Sequence, residues 1–225
     1  MHDCALLSVT GLAKSVPGGR ELFRGLDLTA KPGQLIAIVG ESGVGKSTLL
    51  NILAGLDEPD SGRVAIEDID LHALDEAALT RIRATRIGFV FQAFHVLPYL
   101  TLRQNVALPL ALVSADRQTI DARADAMLDR VGLGARGDGY ARDLSGGELQ
   151  RIAIARAFVH RPAIILADEP TGNLDPETAA KILDLFSKAV REDGVAAIIV
   201  THSQAAAGIA DVVLTLTATG LERRA

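Results

Sequence analysis

The chain has 225 residues, of which 48% are apolar, enough for the interior of one large α/β domain or of a core with a subdomain. A net charge of −5 and a pI of about 5.5 argue against a nucleic-acid partner held by a broad basic face. The longest apolar stretches, such as residues 106–113, fall well short of the ~20 residues that a membrane span needs.

The single cysteine, Cys4, cannot form a disulfide within the chain, and it is interpreted as an ordinary thiol near a disordered end. The first residues also lack the charged start and long apolar core of a signal peptide. Both observations favour a reducing, cytoplasmic compartment. Any role at a membrane is therefore expected to come through a partner.

Apolar, β-branched runs alternate with helical patterns, which is typical of a parallel sheet with helices on its faces. The predicted strands are Leu6–Val9, Leu35–Val39, Ile87–Phe91, Ala163–Ala167, Ala196–Thr201 and Val212–Leu216. The predicted helices are Lys46–Ala54, Glu76–Arg86, Asp116–Val131, Gly147–Val159, Pro176–Arg191 and Gln204–Ile209. Gly132 is expected to end the third of these helices, and Asp175 to cap the fifth, with Pro176 in its first turn.

The stretch from residue 93 to residue 159 is mostly helical in pattern and lies between two strand candidates. It is therefore predicted to be a helical subdomain inserted into an α/β core of residues 1–92 and 160–225. No repeat, low-complexity segment or long linker divides the sequence, so residues 1–225 are interpreted as a single domain.

A glycine-rich segment separates the predicted strand at residues 35–39 from the helix that follows. It has the pattern G-x-x-x-x-G-K-S and reads Gly40, Glu41, Ser42, Gly43, Val44, Gly45, Lys46, Ser47 and Thr48. Glycines let backbone N–H groups curl around phosphate oxygens, and the helix N-terminus adds unpaired donors and its positive dipole end. Lys46 is expected to reach the β- and γ-phosphates and Ser47 to hold Mg²⁺. The pattern favours nucleotide binding over an ordinary glycine-rich turn.

Two adjacent carboxylates, Asp168 and Glu169, follow the apolar run at residues 163–167. Ligands of nucleotide-binding α/β sheets sit at the carboxyl ends of the strands. Asp168 is expected to bind the metal directly or through water, and Glu169 to polarise an attacking water. By itself the pattern also fits a strand that ends in a solvated acidic turn; the phosphate loop favours the functional interpretation.

A second set of backbone donors is predicted at Ser145, Gly146 and Gly147, which open a helix. The competing interpretation is an ordinary serine cap followed by glycines. If both loops face phosphate, one chain has either two separate sites or one site shared between two copies. Sharing across a two-fold axis is the simpler arrangement, because each loop then meets the other kind of loop on the second copy.

These motifs, in their order along the chain, resemble the full set of ATP-binding-cassette (ABC) ATPase motifs. The set comprises the loop at residues 40–48, Gln92, the segment Leu144–Arg151, Asp168 with Glu169, Asn173 to Asp175, and His202. The Leu-Ser-Gly-Gly-Glu sequence is specific to this family. Residues 88–92 and 169–175 are similar to the branch that contains the LolD, MacB and FtsE ATPases, and residues 14–16 and 40–43 are closest to its YbbA-like members.

The resemblance implies a phosphate-loop NTPase fold with a mainly parallel sheet, an N-terminal antiparallel β portion and an inserted helical subdomain. It also implies roles for single residues. Gln92 would contact the Mg²⁺ region, Ser145 and Gly147 would close on the γ-phosphate of ATP held by the other copy, and Asp175 would lie at the dimer interface. His202 would hydrogen-bond the γ-phosphate and orient water. A polar strand end, a helix cap and a surface histidine are the respective alternatives for Gln92, Asp175 and His202.

The expected function is ATP hydrolysis by a subunit that dimerises around two ATP·Mg²⁺ and drives an integral membrane permease in export or in lipid or lipoprotein handling. The alternative is an ATP-driven transmitter that regulates an enzyme across the membrane without transport. A cassette protein that acts on DNA or ribosomes fits less well, and no nucleic-acid partner is expected. Part of residues 94–102 is expected to form a groove for the membrane subunit. Ala13 replaces the aromatic residue on which many family members stack adenine, so weaker adenine affinity is expected.

Overall fold

A computed structural model describes residues 5–113 and 116–224 of the chain. Cys4, for which an ordinary thiol was predicted, lies outside these residues. The strands are β1 (Leu7–Ser15), β2 (Glu21–Ala30), β3 (Leu35–Val39), β4 (Ser61–Ile66), β5 (Ile69–Asp70), β6 (Ile87–Phe91), β7 (Ile164–Asp168), β8 (Ala196–Val200), β9 (Val212–Thr217) and β10 (Gly220–Arg223). The α-helices are α1 (Lys46–Leu53), α2 (Glu76–Arg86), α3 (Leu102–Val113), α4 (Arg117–Arg130), α5 (Gly146–Phe158), α6 (Pro176–Asp193) and α7 (Gln204–Gly208). Among the described residues, we find no helix with the length and apolar character required to span a bilayer.

The central sheet has the strand order β10-β9-β3-β8-β7-β6 within the described residues. All neighbouring pairs are parallel except β9 and β10. Strands β3, β7 and β8 read as continuous apolar runs because both faces of the sheet are covered by other elements. Parallel pairing brings the carboxyl ends of β3, β8, β7 and β6 to one edge of the sheet, and the residues that follow these four strands form the candidate site.

The predicted strands from 35 to 39 and from 87 to 91 have the observed ends, whereas the N-terminal antiparallel sheet is more extensive than the strand predicted at residues 6–9. This sheet has the order β2-β1-β4-β5. β1 continues to Ser15 with register shifts after Val9, and these irregularities interrupt the alternation that marks a strand in sequence. Its inner face packs with α1 against the central sheet in one large apolar cluster.

Helices α3, α4 and α5 share a separate apolar cluster, while α5 and α6 cover the second face of the central sheet. The sequence indicated a helical insertion but did not delimit α3, because Pro109 lies inside it. Pro109 lacks the N–H that would bond back to residue 105, and burial of Val106 and Leu110 holds the helix nonetheless.

The predicted helix ends are largely those observed. Asp175 caps α6 by accepting a hydrogen bond from the Thr178 backbone N–H, and Pro176 occupies the first turn. α4 ends just before Gly132, which has a φ of 77°. α1 begins at Lys46 as predicted and ends one residue before the predicted Ala54.

Candidate functional site

The phosphate loop joins the carboxyl end of β3 to the N-terminus of α1. Gly45 precedes the helix with a φ of 109°, a conformation that suits glycine. A Cβ at this position would lie 3.2 Å from Leu22 side-chain atoms. The requirement for glycine is therefore both conformational and steric. The side chains of Ser47 and of Glu41 are exposed, and Thr48 is half-buried in the first turn of α1.

Lys46 turns its ammonium back into the loop. The Nζ atom donates to the carbonyl oxygens of Gly40 at 3.0 Å and Glu41 at 2.9 Å. The residue is 8% exposed. Burial lowers the Lys46 pKa, and the negative charges of Glu169 and then Asp168 partly counteract that effect. The loop thus holds a cation beside two carboxylates at the edge of the sheet.

Glu169 follows β7 and faces the residues that follow β8. One carboxylate oxygen accepts a hydrogen bond from the Thr201 hydroxyl at 2.9 Å, and the other accepts one from the His202 backbone N–H at 2.8 Å. The residue has a positive φ of 45°, which is uncommon for a residue other than glycine and costs on the order of 1–3 kcal/mol where the surroundings enforce it. Two bonds to the side chain and one from its own N–H to the Val200 carbonyl fix this conformation.

His202 connects the phosphate loop to the carboxylate. Its Nε2 atom lies 3.1 Å from Lys46 Nζ and 4.0 Å from a Glu169 carboxylate oxygen. Because an ammonium group only donates, a hydrogen bond between these two atoms requires that Nε2 accept. Lys46, Glu169 and His202, which are far apart in sequence, are therefore in direct reach of one another.

Gln92, which follows β6, is held by Asn173, for which the sequence predicts no separate role. Its side-chain amide donates to Asn173 Oδ1 at 3.0 Å, and the Asn173 amide donates to the Gln92 carbonyl at 2.9 Å. Asn173 belongs to one of the motifs, but the reciprocal pairing spans 81 residues and has no signature in local spacing. The pair joins the end of β6 to the segment that precedes α6.

Gly172 lies directly against the Gln92 side chain. A Cβ at Gly172 would come within 2.8 Å of Gln92 Nε2 and 3.0 Å of its Cδ. We expect Gly172→Ala to displace the amide and lower ATP turnover about tenfold or more, with little loss of stability, because the displaced group is the end of a flexible side chain. Steady-state ATPase assays and thermal unfolding measure the two effects.

Gly208→Ala provides the matched control, since Gly208 has no atom within 4 Å of the added methyl group and no positive φ. This control should retain full turnover. Equal turnover in Gly172→Ala and in the unsubstituted chain would show that the position of Gln92 does not matter for hydrolysis.

Ser145 caps α5 and forms a reciprocal capping box with Glu148. The Glu148 carboxylate accepts from the Ser145 backbone N–H and hydroxyl, both at 2.8 Å, and from Arg136 at 2.6 Å. The hydrogen bonds from the Ser145 backbone and hydroxyl, followed by the charge of Arg136, lower the Glu148 pKa. The serine-cap interpretation is thus confirmed, and it leaves the Ser145 side chain at the surface.

The two glycines of this motif pack against the segment around α6. A Cβ at Gly146 would meet Leu174, and one at Gly147 would meet Thr178. The Asp175 carboxylate accepts hydrogen bonds from the Thr178 hydroxyl and backbone N–H, and these bonds, the first more than the second, lower the Asp175 pKa. Ser145 to Gly147 and Asp175 therefore form a second group, whose contacts are with one another and not with the phosphate loop. Their predicted roles toward a second copy stay predictions.

The expected magnesium ligands all offer oxygen atoms, which suits this ion. They are the hydroxyl of Ser47, the carboxylate of Asp168 at the end of β7, and the amide oxygen of Gln92. Among the described residues no group of three or more His, Cys, Asp or Glu side chains forms a metal cage. This donor set fits an ion that is held partly by the phosphates of a substrate.

Ala13 lies in β1 opposite Ser61, and Val16 packs partly against the apolar core. The side chains at these two positions therefore offer only aliphatic contact to a base. The expected weaker adenine affinity stays a prediction.

A strand, a glycine-rich loop and a helix N-terminus, with carboxylates at the end of another strand of the same sheet, define the phosphate-loop NTPase class; here β8 lies between β3 and β7. The family model for the ABC transporter matches residues 23–172. A lipoprotein-releasing system ATP-binding protein, LolD 2 of Caulobacter vibrioides, is 43% identical over 212 residues, which cover 94% of this chain and 93% of the relative. The chain belongs to the ABC transporter family and is an ATP-binding, ATP-hydrolysing subunit.

Other relatives agree with this result. An uncharacterised ABC transporter ATP-binding protein, YbbA of Escherichia coli, is 48% identical over 200 residues, which cover 88% of each chain. The dimeric structure of MJ0796, a bacterial ABC transporter cassette, superposes with a TM-score of 0.84 at 38% identity and covers 96% of this chain and 97% of its own. A post-hydrolysis structure of that cassette is bound to ADP and Pi. The predicted family, fold class and ATPase activity are thereby confirmed.

Proposed function

We propose that the chain works as a homodimer that closes around two ATP·Mg²⁺ and drives a permease-type membrane subunit, in lipoprotein or lipid handling or in export. The observation that carries this proposal is the convergence of Lys46, Glu169 and His202 at the sheet edge where the phosphate loop opens. The similarity to LolD and YbbA proteins supports the class of complex, and the dimeric cassette supports the assembly.

Each residue at this edge has a proposed task. Lys46 exchanges its bonds to the loop carbonyls for phosphate oxygens, Glu169 accepts a proton from the attacking water, and His202 orients that water and contacts the γ-phosphate. Ser47, Gln92 and Asp168 would hold Mg²⁺, which would supply positive charge to neutralise the phosphates. Hydrogen bonds from the Thr201 hydroxyl and the His202 backbone N–H hold the Glu169 carboxylate in one orientation. Each carboxylate oxygen still has a lone pair that can accept from the attacking water.

A second copy completes the site in this proposal. The N-terminus of α5 has Ser145 exposed and Gly146 and Gly147 half-buried, and the atoms nearest the two glycines belong to residues outside the phosphate loop. An isologous dimer brings each such terminus to the ATP of the other copy, with Asp175 at the interface. Hydrolysis then removes the group held from both sides, so the affinity between copies falls and the dimer opens.

The proposed membrane contact lies on the helical part of the chain, which we treat as one unit from residue 93 to residue 159. Tyr99 is 91% exposed and Leu112 is 73% exposed, and Leu97 is exposed as well. A cavity of about 260 Å³ beside α3 is lined largely by apolar side chains, among them Phe91 and Leu112. Exposed apolar side chains, one of which (Leu112) lines an apolar groove, suit an amphipathic helix of a partner.

Attachment through such a partner would place the chain on the cytoplasmic face of the cell membrane. The alternative function, regulation of an enzyme across the membrane without transport, would use the same contacts. It is not favoured, because the LolD relatives are named as ATP-binding proteins of a lipoprotein-releasing system. The absence of a nucleic-acid partner stays a prediction based on the net charge.

Copurification from detergent-solubilised membranes tests the proposal. A tagged chain is expected to retain an integral membrane protein that raises its ATP turnover when both are reconstituted in lipid nanodiscs. Tyr99→Asp combined with Leu97→Asp should lose the protein and the stimulation, since charges on the exposed apolar side chains disfavour docking. Basal turnover should remain.

Leu56→Asp is the matched control, because Leu56 is 56% exposed but follows α1, outside the helical part. It should retain both partner and stimulation. Failure to recover a stimulating integral protein, or its equal retention by the Tyr99 and Leu97 variant, would contradict the proposed docking surface.

A further inference from the structure

Arg156, on α5, makes an unusual pair of contacts with the segment that follows Gln92. Its Nη1 atom donates to the His95 carbonyl at 2.6 Å, and its Nη2 atom donates to the Phe94 carbonyl at 2.9 Å. The side chain is partly buried, and within residues 5–113 and 116–224 no salt bridge joins it to a carboxylate. A planar guanidinium with two parallel donors suits two neighbouring carbonyls, whereas the single nitrogen of lysine does not.

The two carbonyls belong to an uncommon backbone conformation. Phe94 and His95 have φ values of 58° and 48°, so two consecutive residues other than glycine lie in the left-handed region. Such conformations persist only where the surroundings enforce them, and they occur preferentially at functional sites. The Arg156 fork satisfies the two carbonyl groups that this conformation presents on the same side.

Further contacts link this turn both to the end of β6, beside Gln92, and to the N-terminus of α5. The His95 ring lies 4.9 Å from the Phe91 ring, which directly precedes Gln92. The Phe94 ring reaches the other end of α5, since a Cβ at Gly146 would lie 3.8 Å from it. Helix α5 therefore approaches residues 94 and 95 at two places, at Gly146 at its N-terminus and through Arg156 near its C-terminus.

We propose that Arg156 is a positioning residue that makes the turn at residues 94–95 move with α5. This inference rests on the proposed dimer, in which the Ser145 end of α5 engages the ATP of the second copy. A displacement of α5 would then carry Gln92 toward or away from the metal site and would move the exposed side chains of Leu97 and Tyr99. Burial lowers the Arg156 pKa, and the hydrogen bonds show that the partners of the guanidinium are the two carbonyls.

Hydrogen exchange in a Glu169→Gln background, which is expected to trap the ATP-bound dimer, tests this role. With Mg-ATP, peptides over residues 144–151 and 92–98 should both gain protection. Adding Arg156→Lys should leave the first protected and remove the ATP-dependent protection of the second. In the catalytically competent chain, Arg156→Lys should lower kcat about tenfold and leave KM for ATP within about threefold.

Arg123→Lys is the matched control. Arg123 lies in the same helical part, is also partly buried, and donates to the Val159 carbonyl at 2.7 Å, but it does not contact residues 94–95. It should retain kcat and the protection of both peptides. Arg156→Ala removes both the charge and the contacts with the two carbonyls. If the contacts matter, Arg156→Lys should lose as much kcat and protection as Arg156→Ala. If only the charge mattered, Arg156→Lys would retain both.

The outcomes separate this inference from the function on which it rests. If the Glu169→Gln background forms no dimer with Mg-ATP, the proposed assembly is wrong, and this inference is wrong with it. If the dimer forms and Arg156→Lys leaves residues 92–98 protected, or if Arg123→Lys causes the same losses, the positioning role of Arg156 alone is overturned.

Discussion

Replacing Glu169 by glutamine is expected to lower ATP turnover by about 10²- to 10⁴-fold while nucleotide binding persists, because the variant lacks the carboxylate that we propose accepts the proton. The substitution should change the chemistry of this group without disturbing the local structure. The amide oxygen can still accept from the His202 backbone N–H, and the amide nitrogen can donate to the Thr201 hydroxyl, so both contacts survive. Single-turnover assays and nucleotide titrations measure hydrolysis and binding separately.

The same variant should accumulate an ATP-dependent dimer, which light scattering detects. Glu192→Gln is the control, since this carboxylate at the far end of α6 pairs with Arg130 and lies away from the sheet edge that carries Glu169. It should behave as the unsubstituted chain does. Normal turnover in Glu169→Gln would show that another group serves as the base.

Replacing Lys46 by alanine is expected to lower ATP turnover by at least about 10²-fold and to weaken ATP binding, because the phosphates lose their nearest cation. The change also removes the bonds to the Gly40 and Glu41 carbonyls and the contact with His202. Fluorescent-nucleotide titration gives the affinity, and phosphate release gives the rate.

Lys14→Ala is a stringent control for this prediction. Lys14 is also largely buried, and it holds a loop through bonds to the Asp57 side chain at 2.9 Å and the Glu58 carbonyl at 2.6 Å. Its loss should affect stability and leave the nucleotide affinity unchanged. Unimpaired binding and turnover in Lys46→Ala would exclude the assignment of the phosphate loop.

Local patterns predict the parts of this fold that depend on neighbours in sequence. The apolar run before the phosphate loop, the start of α1 at Lys46, and the Asp175 and Pro176 start of α6 all follow from periodicity and capping. The N-terminal strands were harder to delimit. β4 begins with Ser61, Gly62 and Arg63, which form no apolar alternation, and packing with β1 decides its conformation.

The site geometry that the sequence does not predict depends on contacts between residues far apart along the chain. The distance of 3.1 Å between Lys46 and His202 depends on the order of strands in the sheet, and the Gln92 and Asn173 pair depends on how two loops meet. The positive φ of Phe94 has no compositional signal, since an aromatic residue ordinarily disfavours that region. Motif order predicts that Lys46, Glu169 and His202 belong to one site, and the sheet topology determines their mutual distances.

The buried amide of Asn105 fixes the conformation of the loop that carries Tyr99, part of the proposed docking surface. This side chain has no exposed surface; its amide donates to the carbonyls of Leu97, Leu100 and Thr101, and its oxygen accepts from the Leu97 N–H. The loop that carries Tyr99 is thus tied down from within before anything binds to it. At the proposed docking surface, binding would therefore cost little backbone conformational entropy, and we expect affinity and choice of partner to reflect the fixed shape of this loop.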